Sequence, residues 1–224
     1  TETSPVISVN CYNPEDNMLG SVGPVVKGVE VKIAEDGEIL CKGPNVMVGY
    51  YKLPDKTAEA IDEDGWFHTG DIGEFVNEKF LKITDRKKEL FKTSGGKYVA
   101  PQPLENKFKE SFFIEQMMVI GDGRKFVSAL IVPSFTNLKS WCEKSGLLCN
   151  TNETMIRDQK VLEKYQQVVD EKNKEFGHTD QIKKFRLMPD EWTVPGGQLT
   201  PTMKLKRKVI IEKYRNLIEG MYGD

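Results

Sequence analysis

Cysteine and histidine are scarce in this chain of 224 residues, which holds four of the first and two of the second. Cys11, Cys41, Cys142 and Cys149 form no Cys-x-x-Cys pair and fit reduced thiols better than a disulfide framework. His68 and His178 stand far apart, so neither a histidine-based metal cluster nor a catalytic triad is expected. No apolar run approaches the roughly 20 residues that a membrane-spanning helix needs. No signal peptide is visible. A surplus of positive charge is missing too. Thirty-two Lys and Arg against 34 Asp and Glu leave a formal net charge of −2, with no whole-chain basic signature for nucleic acid. An initiator methionine is also lacking. The chain opens on T-E-T-S-P-V-I-S-V, which reads as the interior of a longer protein.

What is present reads as soluble and globular, with 38% hydrophobic and 29% charged residues, enough chain for one large domain or two small ones. Residues 1–84 read as short strands (6–9, 29–33, 38–41) cut by Gly and Pro. An Asp36-Gly37 hairpin signal lies between the second and third, and one or two helical turns fall at 56–61. Residues 73–76 and 79–83 read as a further hairpin. Beyond, the pattern predicts a helix at 101–111 and strands at 114–120 and 126–132 around Gly121-Asp122-Gly123. Helices follow at 135–144 and 158–176, then a strand at 182–188 and a closing amphipathic helix at 204–221. The fold class expected is α+β: a β-rich, barrel-like N-terminal piece, 1–84, followed by a small α+β domain, 85–224.

Four loops concentrate polar groups. Thr1-Glu2 sets an acid beside a hydroxyl; its carboxylate is a candidate Mg²⁺ ligand, and the plainer reading is a surface Glu. In His68-Thr69-Gly70-Asp71 a carboxylate follows a tight glycine turn, as in acids that bind vicinal ribose hydroxyls, or simply an Asp in a turn. From Ile83 to Pro101, Asp85-Arg86-Lys87-Lys88-Glu89 precedes Ser94-Gly95-Gly96 and Lys97. Positive charge beside a glycine loop suits phosphate, yet Lys97 is followed by Tyr98, so this is no Walker A loop. A solvated hairpin is the alternative. Last, Gly196-Gly197 leads into Lys204, Lys206, Arg207 and Lys208 at the head of the closing helix. Basic residues there oppose the helix dipole, a local inconsistency that points to function.

In order and spacing these four resemble motifs of the AMP-forming acyl-CoA synthetases, the adenylate-forming family. T-E-T-S-P resembles the end of the family's Y-G-x-T-E-T-S-P. Gly49-Tyr50-Tyr51 with Trp66 to Asp71 resembles G-Y-x…G-W-F-x-T-G-D. Asp85 to Glu89 with Gly95-Gly96 resembles the D-R-x-K-[DE] linker and glycine loop. Pro201-Thr202-Met203-Lys204 through Arg207 resembles the C-terminal lysine motif. The long helical segment 133–188 is most similar to the long-chain fatty acyl-CoA synthetases. The likeness covers only the C-terminal portion of such a protein.

The resemblance implies a mechanism. Fatty acid and ATP form acyl-AMP, and coenzyme A then takes the acyl group. Glu2 would help hold Mg²⁺, Thr1 would contact the α-phosphate, and Asp71 and Arg86 would bind ribose. Lys204 would serve adenylation, and Lys88, in a linker at 85–88, would be the hinge. Gly95 and Gly96, with Lys92 and Tyr98, would face coenzyme A. The implied location is the cytoplasm, with peripheral contact at the inner membrane face allowed. The fragment alone would be inactive. The competing reading is a non-catalytic module that binds nucleic acid or an acidic partner through 86–92 and 204–208. Few aromatics interleave those basic runs, which argues against single-strand recognition.

Overall fold

The computed structural model describes residues 1–147 and 151–223. Cys149 lies outside the described residues; Cys41 and Cys142 are buried free thiols and Cys11 is an exposed one. The chain divides into two compact units, Thr1–Leu90 and Phe91–Asp224.

The first unit holds β1 (Gly23–Pro24), β2 (Glu30–Ile33), β3 (Glu38–Lys42), α1 (Pro54–Ala60), β4 (Phe67–Val76) and β5 (Phe80–Arg86). They form one antiparallel sheet in the order β1-β5-β4-β3-β2. The Asp36-Gly37 turn joins β2 to β3, with Gly37 at φ +83° and Asp36 Oδ1 accepting from the Glu38 N–H at 3.1 Å. Asn77 and Glu78 join β4 to β5 with φ of 52° and 57°, the two positive values that a type I′ turn demands. The expected barrel is corrected: β1 and β2 stand at opposite edges, and no pairing among the described residues joins them, so the sheet is open. The strand expected at 6–9 is reduced to a single Ser8–Val25 bridge. The physical reason is a close crossing in place of a ladder. A Cβ on Gly23, at φ +91°, would stand 2.2 Å from the Val9 carbonyl carbon.

The second unit opens on a two-stranded hairpin, β6 (Phe91–Lys92) and β7 (Tyr98–Val99). There follow α2 (Pro101–Phe108), β8 (Ile114–Ile120), β9 (Val127–Pro133), α3 (Phe135–Lys144), α4 (Asn152–Met155), α5 (Gln159–Asn173), β10 (Ile182–Leu187), α6 (Arg207–Lys213) and α7 (Arg215–Tyr222). β8 and β9 pair antiparallel through the short glycine turn, while β10 adds to β9 in parallel. A parallel partner cannot be reached by a tight turn. That is why α3, α4 and α5 intervene. β9 is buried at every position, as in strands covered on both faces. One face packs Met117, Val119 and Ile131 against Leu104, Phe108, Leu138 and Tyr165. The other packs Met118, Leu130 and Val132 against Trp192, Ile210, Ile218 and Met221. Each such fully buried aliphatic side chain contributes about 1.5–3 kcal/mol.

The single closing helix expected at 204–221 is also corrected. α6 starts only at Arg207, and the chain breaks at Tyr214, where φ is −109° and ψ is 21°, before α7. Residues before Arg207 are held in a hairpin instead, because backbone bonds run between Thr200 and Lys204 and from Lys206 N to Gln198 O.

Candidate active site

In the first unit a cleft of about 370 Å³ is lined by Thr1, Glu2, Thr69, Asp71 and Arg86, together with apolar residues of the sheet. Three stretches separated in sequence thus meet on one surface. Glu2 is placed by its carbonyl, which accepts from the Met47 N–H at 2.8 Å, and its Oε1 accepts from the Tyr50 hydroxyl at 3.2 Å. A hydrogen bond from its own backbone N–H holds this carboxyl below its ordinary value, against some loss of solvent, and Tyr50 adds to the lowering. An ionised lone carboxylate suits Mg²⁺, which takes one or two protein carboxylates and completes its shell with water and phosphate. Among the described residues no group of three or more His, Cys, Asp or Glu could hold a metal by itself. Glu2 could supply one ligand to such an ion, with the rest of the shell coming from elsewhere.

Asp71 and Arg86 face each other in the β4–β5 register, and Arg86 Nε donates to Asp71 Oδ1 at 2.6 Å. The pair is partly exposed, and such pairs stabilise by only about 0–1 kcal/mol. Its effect is to orient the carboxylate, which has about four acceptor sites and is not exhausted by one guanidinium bond. The turn expected at 68–71 is corrected: Gly70, at φ +72°, lies inside β4 where the register against β3 shifts, and the Thr69 hydroxyl donates to Ile39 O at 2.7 Å while accepting from the Asp71 N–H at 3.1 Å.

A neighbouring cleft of about 620 Å³ includes Glu2, Glu38, Tyr50, His68, Thr69, Gly70, Arg86, Lys87 and Lys88 among its lining residues. Tyr50, His68 and Lys87 stand in the motifs quoted from the sequence without an assigned role, and Glu38 was not singled out there. Glu38 is 3% exposed. It accepts from Lys87 Nζ at 2.7 Å and the Gly70 N–H at 2.9 Å, and it pairs with His68 Nδ1 at 3.0 Å. Burial pushes its carboxyl up, but Lys87, His68 and Gly70 together outweigh burial and hold it below its ordinary value of 4.5. Asp36, then Glu38, raises Lys87 in turn. The one signal in the sequence was a Glu heading an otherwise apolar strand. A carboxyl lowered on folding adds stability that is complete above its unfolded value and is lost as pH falls through the folded one. The stability gap between the native chain and Glu38→Gln is therefore expected to narrow as pH drops below 4.5, as read by urea denaturation at several pH values.

In the second unit, the stretch 93–97 closes the β6–β7 hairpin. Thr93 N–H bonds Lys97 O at 2.9 Å, and Gly96 sits at φ +83°. Gly95 and Gly96 are exposed, with no backbone pressed against either missing Cβ. Lys92 Nζ lies 5.4 Å from the centre of the exposed Tyr98 ring. The hairpin is moored to the β8–β9 turn, through Ser94 N–H to Arg124 O and Gly123 N–H to Lys92 O. Lys204 is exposed in the 200–204 turn; its N–H donates to Thr200 Oγ1 at 3.0 Å, and Met203 beside it takes φ 62°. The expected conflict with a helix dipole does not arise at Lys204, since it precedes α6. The basic run is also partly neutralised. Arg207 donates to the buried Glu105 at 2.8 Å and to Val119 O at 3.3 Å. Arg86 and Lys87 are likewise paired with carboxylates, so three of the basic residues in the two runs are engaged in ion pairs.

Residues 89–224 match the family described as AMP-binding enzyme C-terminal domain. The chain is 42% identical over 212 residues to "Putative fatty-acid-CoA ligase fadD11" of Mycobacterium tuberculosis, covering 94% of this chain and 37% of that protein. It is 40% identical over 191 residues to human "Long-chain-fatty-acid-CoA ligase 1", covering 84% of this chain and 27% of that protein. The chain thus spans little more than a third of the length of the first of these curated relatives. Among solved structures, the A domain of carboxylic acid reductase from Segniliparus rugosus, in complex with AMP and a co-purified carboxylic acid, shares the fold. The TM-score is 0.68 at 22% identity, over 91% of this chain and 34% of that one. No helix among the described residues is long and apolar enough to cross a membrane. With its three-stranded sheet, its glycine hairpin and its exposed lysine turn, the chain belongs to the AMP-binding enzyme C-terminal domain family, with fatty-acid-CoA ligases among its relatives.

Proposed function

We propose that this chain is the C-terminal part of an AMP-forming ligase that activates a long-chain fatty acid with ATP and passes the acyl group to coenzyme A. The observation that carries this reading is the convergence of Thr1, Glu2, Asp71 and Arg86 on one cleft. In the first half-reaction a fatty-acid carboxylate oxygen attacks the α-phosphorus of ATP and pyrophosphate leaves. In the second, the coenzyme A sulfur attacks the acyl carbon, AMP leaves, and the thiol proton passes to solvent. Asp71 and Arg86 hold ribose, and Thr1 donates to the α-phosphate. Glu2 supplies one ligand to the Mg²⁺ that accompanies ATP; that ion, when bound, offsets phosphate charge. Lys204 contributes a positive charge to the first step, where like-charged reactants must be brought together. Its compact ammonium on a flexible stem suits a group needed for one step only.

The joint between the two activities is assigned to 85–88, dividing an adenylating part, 1–84, from a mobile part, 85–224. Lys88 is exposed in the turn that follows β5, where Glu89 N–H bonds Arg86 O at 2.8 Å. Gly95 and Gly96, flanked by Lys92 and Tyr98, form the surface toward coenzyme A, since bare backbone leaves room for a thiol. The parent enzyme is assigned to the cytoplasm, where a lipid substrate is compatible with peripheral contact at the inner membrane face. The test is Lys88→Pro in the full-length ligase. Proline restricts the backbone change that a hinge must make. Thioester formation from acyl-AMP is expected to fail while acyl-AMP formation persists; unchanged coenzyme A transfer would sink the hinge assignment.

A further inference from the structure

We propose that Glu38 is a positioning residue of the nucleotide site, a buried carboxylate that ties the irregular stretch of β4 before Asp71 to the linker after Arg86. The inference rests on the reading of Asp71 and Arg86 as the ribose site and goes beyond it, since Glu38 itself reaches no substrate.

The geometry is a hub. Glu38 heads β3, the strand next to β4. Its Oε1 takes the Gly70 N–H at 2.9 Å, directly before Asp71. Its Oε2 takes Lys87 Nζ at 2.7 Å, directly after Arg86, and pairs with His68 Nδ1 at 3.0 Å. Both ends of the Asp71–Arg86 cross-strand pair are thereby pinned to one carboxylate. A second tie closes the same loop, because the Lys87 N–H bonds Gly70 O at 2.9 Å. Asp36 adds a further contact to Lys87 Nζ at 2.7 Å. A 3% exposed carboxylate carries a desolvation penalty that only such pairing offsets. A purely structural strand end would do as well with an apolar side chain. The pinned lysine has a second consequence: it fastens the linker up to Lys87, so a backbone change is confined to Lys88 and beyond.

An amide discriminates between the arms. Gln at 38 keeps an oxygen for Gly70 but turns an N–H₂ donor toward Lys87 or His68. In the full-length ligase, AMP affinity is measured by calorimetry for Glu38→Gln, Lys87→Met, the double variant and Asp71→Ala, with melting temperatures alongside. Glu38→Gln is expected to weaken AMP at least about tenfold, near 1.4 kcal/mol, and Lys87→Met about threefold. The double variant is expected to be no weaker than Glu38→Gln alone, because both changes break one contact. AMP binding within twofold of the parent in Glu38→Gln, or losses that multiply in the double variant, would overturn the proposal. Should Glu38→Gln not fold, Lys87→Met decides: weakened AMP at an unchanged melting temperature supports it, and parental AMP affinity overturns it. Asp71→Ala separates the layers. If it binds AMP like the parent, the ribose reading itself has failed; if it loses AMP while the Glu38 and Lys87 variants do not, only the positioning role has.

Discussion

Lys204→Ala in the full-length ligase is expected to lower acyl-AMP formation by about 10²–10³-fold, the loss typical of one preorganised charge-stabilising contact. Thioester formation from supplied acyl-AMP is expected to stay near the parental rate. The separation follows from the role proposed for Lys204 in the first step only. Lys204 is exposed on a turn whose shape is set by backbone bonds and by the Thr200 hydroxyl, not by the ammonium. Truncation should therefore leave stability within about 0.5 kcal/mol of the parent. A loss of activity cannot then be laid to unfolding. The two half-reactions are followed separately, by pyrophosphate release and by thioester appearance. Equal loss of both would remove Lys204 from its assigned role.

Glu105→Ala is expected to destabilise the second unit by about 3–5 kcal/mol, the range for removing one partner of a buried ion pair. Glu105 is 4% exposed, on the inner face of α2. It accepts from the Val119 N–H at 2.8 Å and from Arg207. Burial pushes its carboxyl above its ordinary value, and the Arg207 guanidinium, then the Val119 N–H, draw it part of the way back. Deleting it takes the carboxylate from the guanidinium, which keeps its bond to Val119 O, and removes the side-chain acceptor of the Val119 N–H. A fall in melting temperature of roughly 6–20 °C would follow from that range for a protein of this size. Arg207 also starts α6, three residues after Lys204, so the same change should loosen the lysine turn and slow acyl-AMP formation beyond any effect of reduced folding. A loss below about 1 kcal/mol would show that the pair is dispensable.

Periodicity and turn chemistry are local, and they located most elements of both units. The Asp36-Gly37 turn, β8 and β9 around Gly121-Asp122-Gly123, α3 and the long α5 stand close to where hydrophobic spacing and glycine place them. The errors have one kind of cause. Residues 6–9 are apolar enough for a strand, but the backbone crosses at Gly23 and no ladder forms. The apolar spacing of 204–221 is helical, but bonds from residues 198 and 200 capture its first turn as a hairpin. Closure of the β-rich half could not be read from the sequence, because pairing between edge strands is a property of the whole sheet.

The site divides in the same way. By itself the sequence determined the residue types and their order: an acid after Thr1, an acid after a glycine, a charged linker, a paired glycine and a lysine after Thr-Met. Those choices are local, since a turn that needs positive φ selects glycine within a few residues of the group it presents. Only the tertiary structure brought Glu2 onto the same cleft as Asp71 and Arg86, set Asp71 opposite Arg86 across β4 and β5, and folded Lys204 into a turn instead of a helix. Glu38 is the clearest case. In the sequence it is one carboxylate among 34 acidic residues. In the fold, strand pairing removes it from water and delivers Gly70, His68 and Lys87 to it from 30 to 49 positions away. Burial and long-range pairing together give a carboxylate its role, and neither is written in its neighbours along the chain.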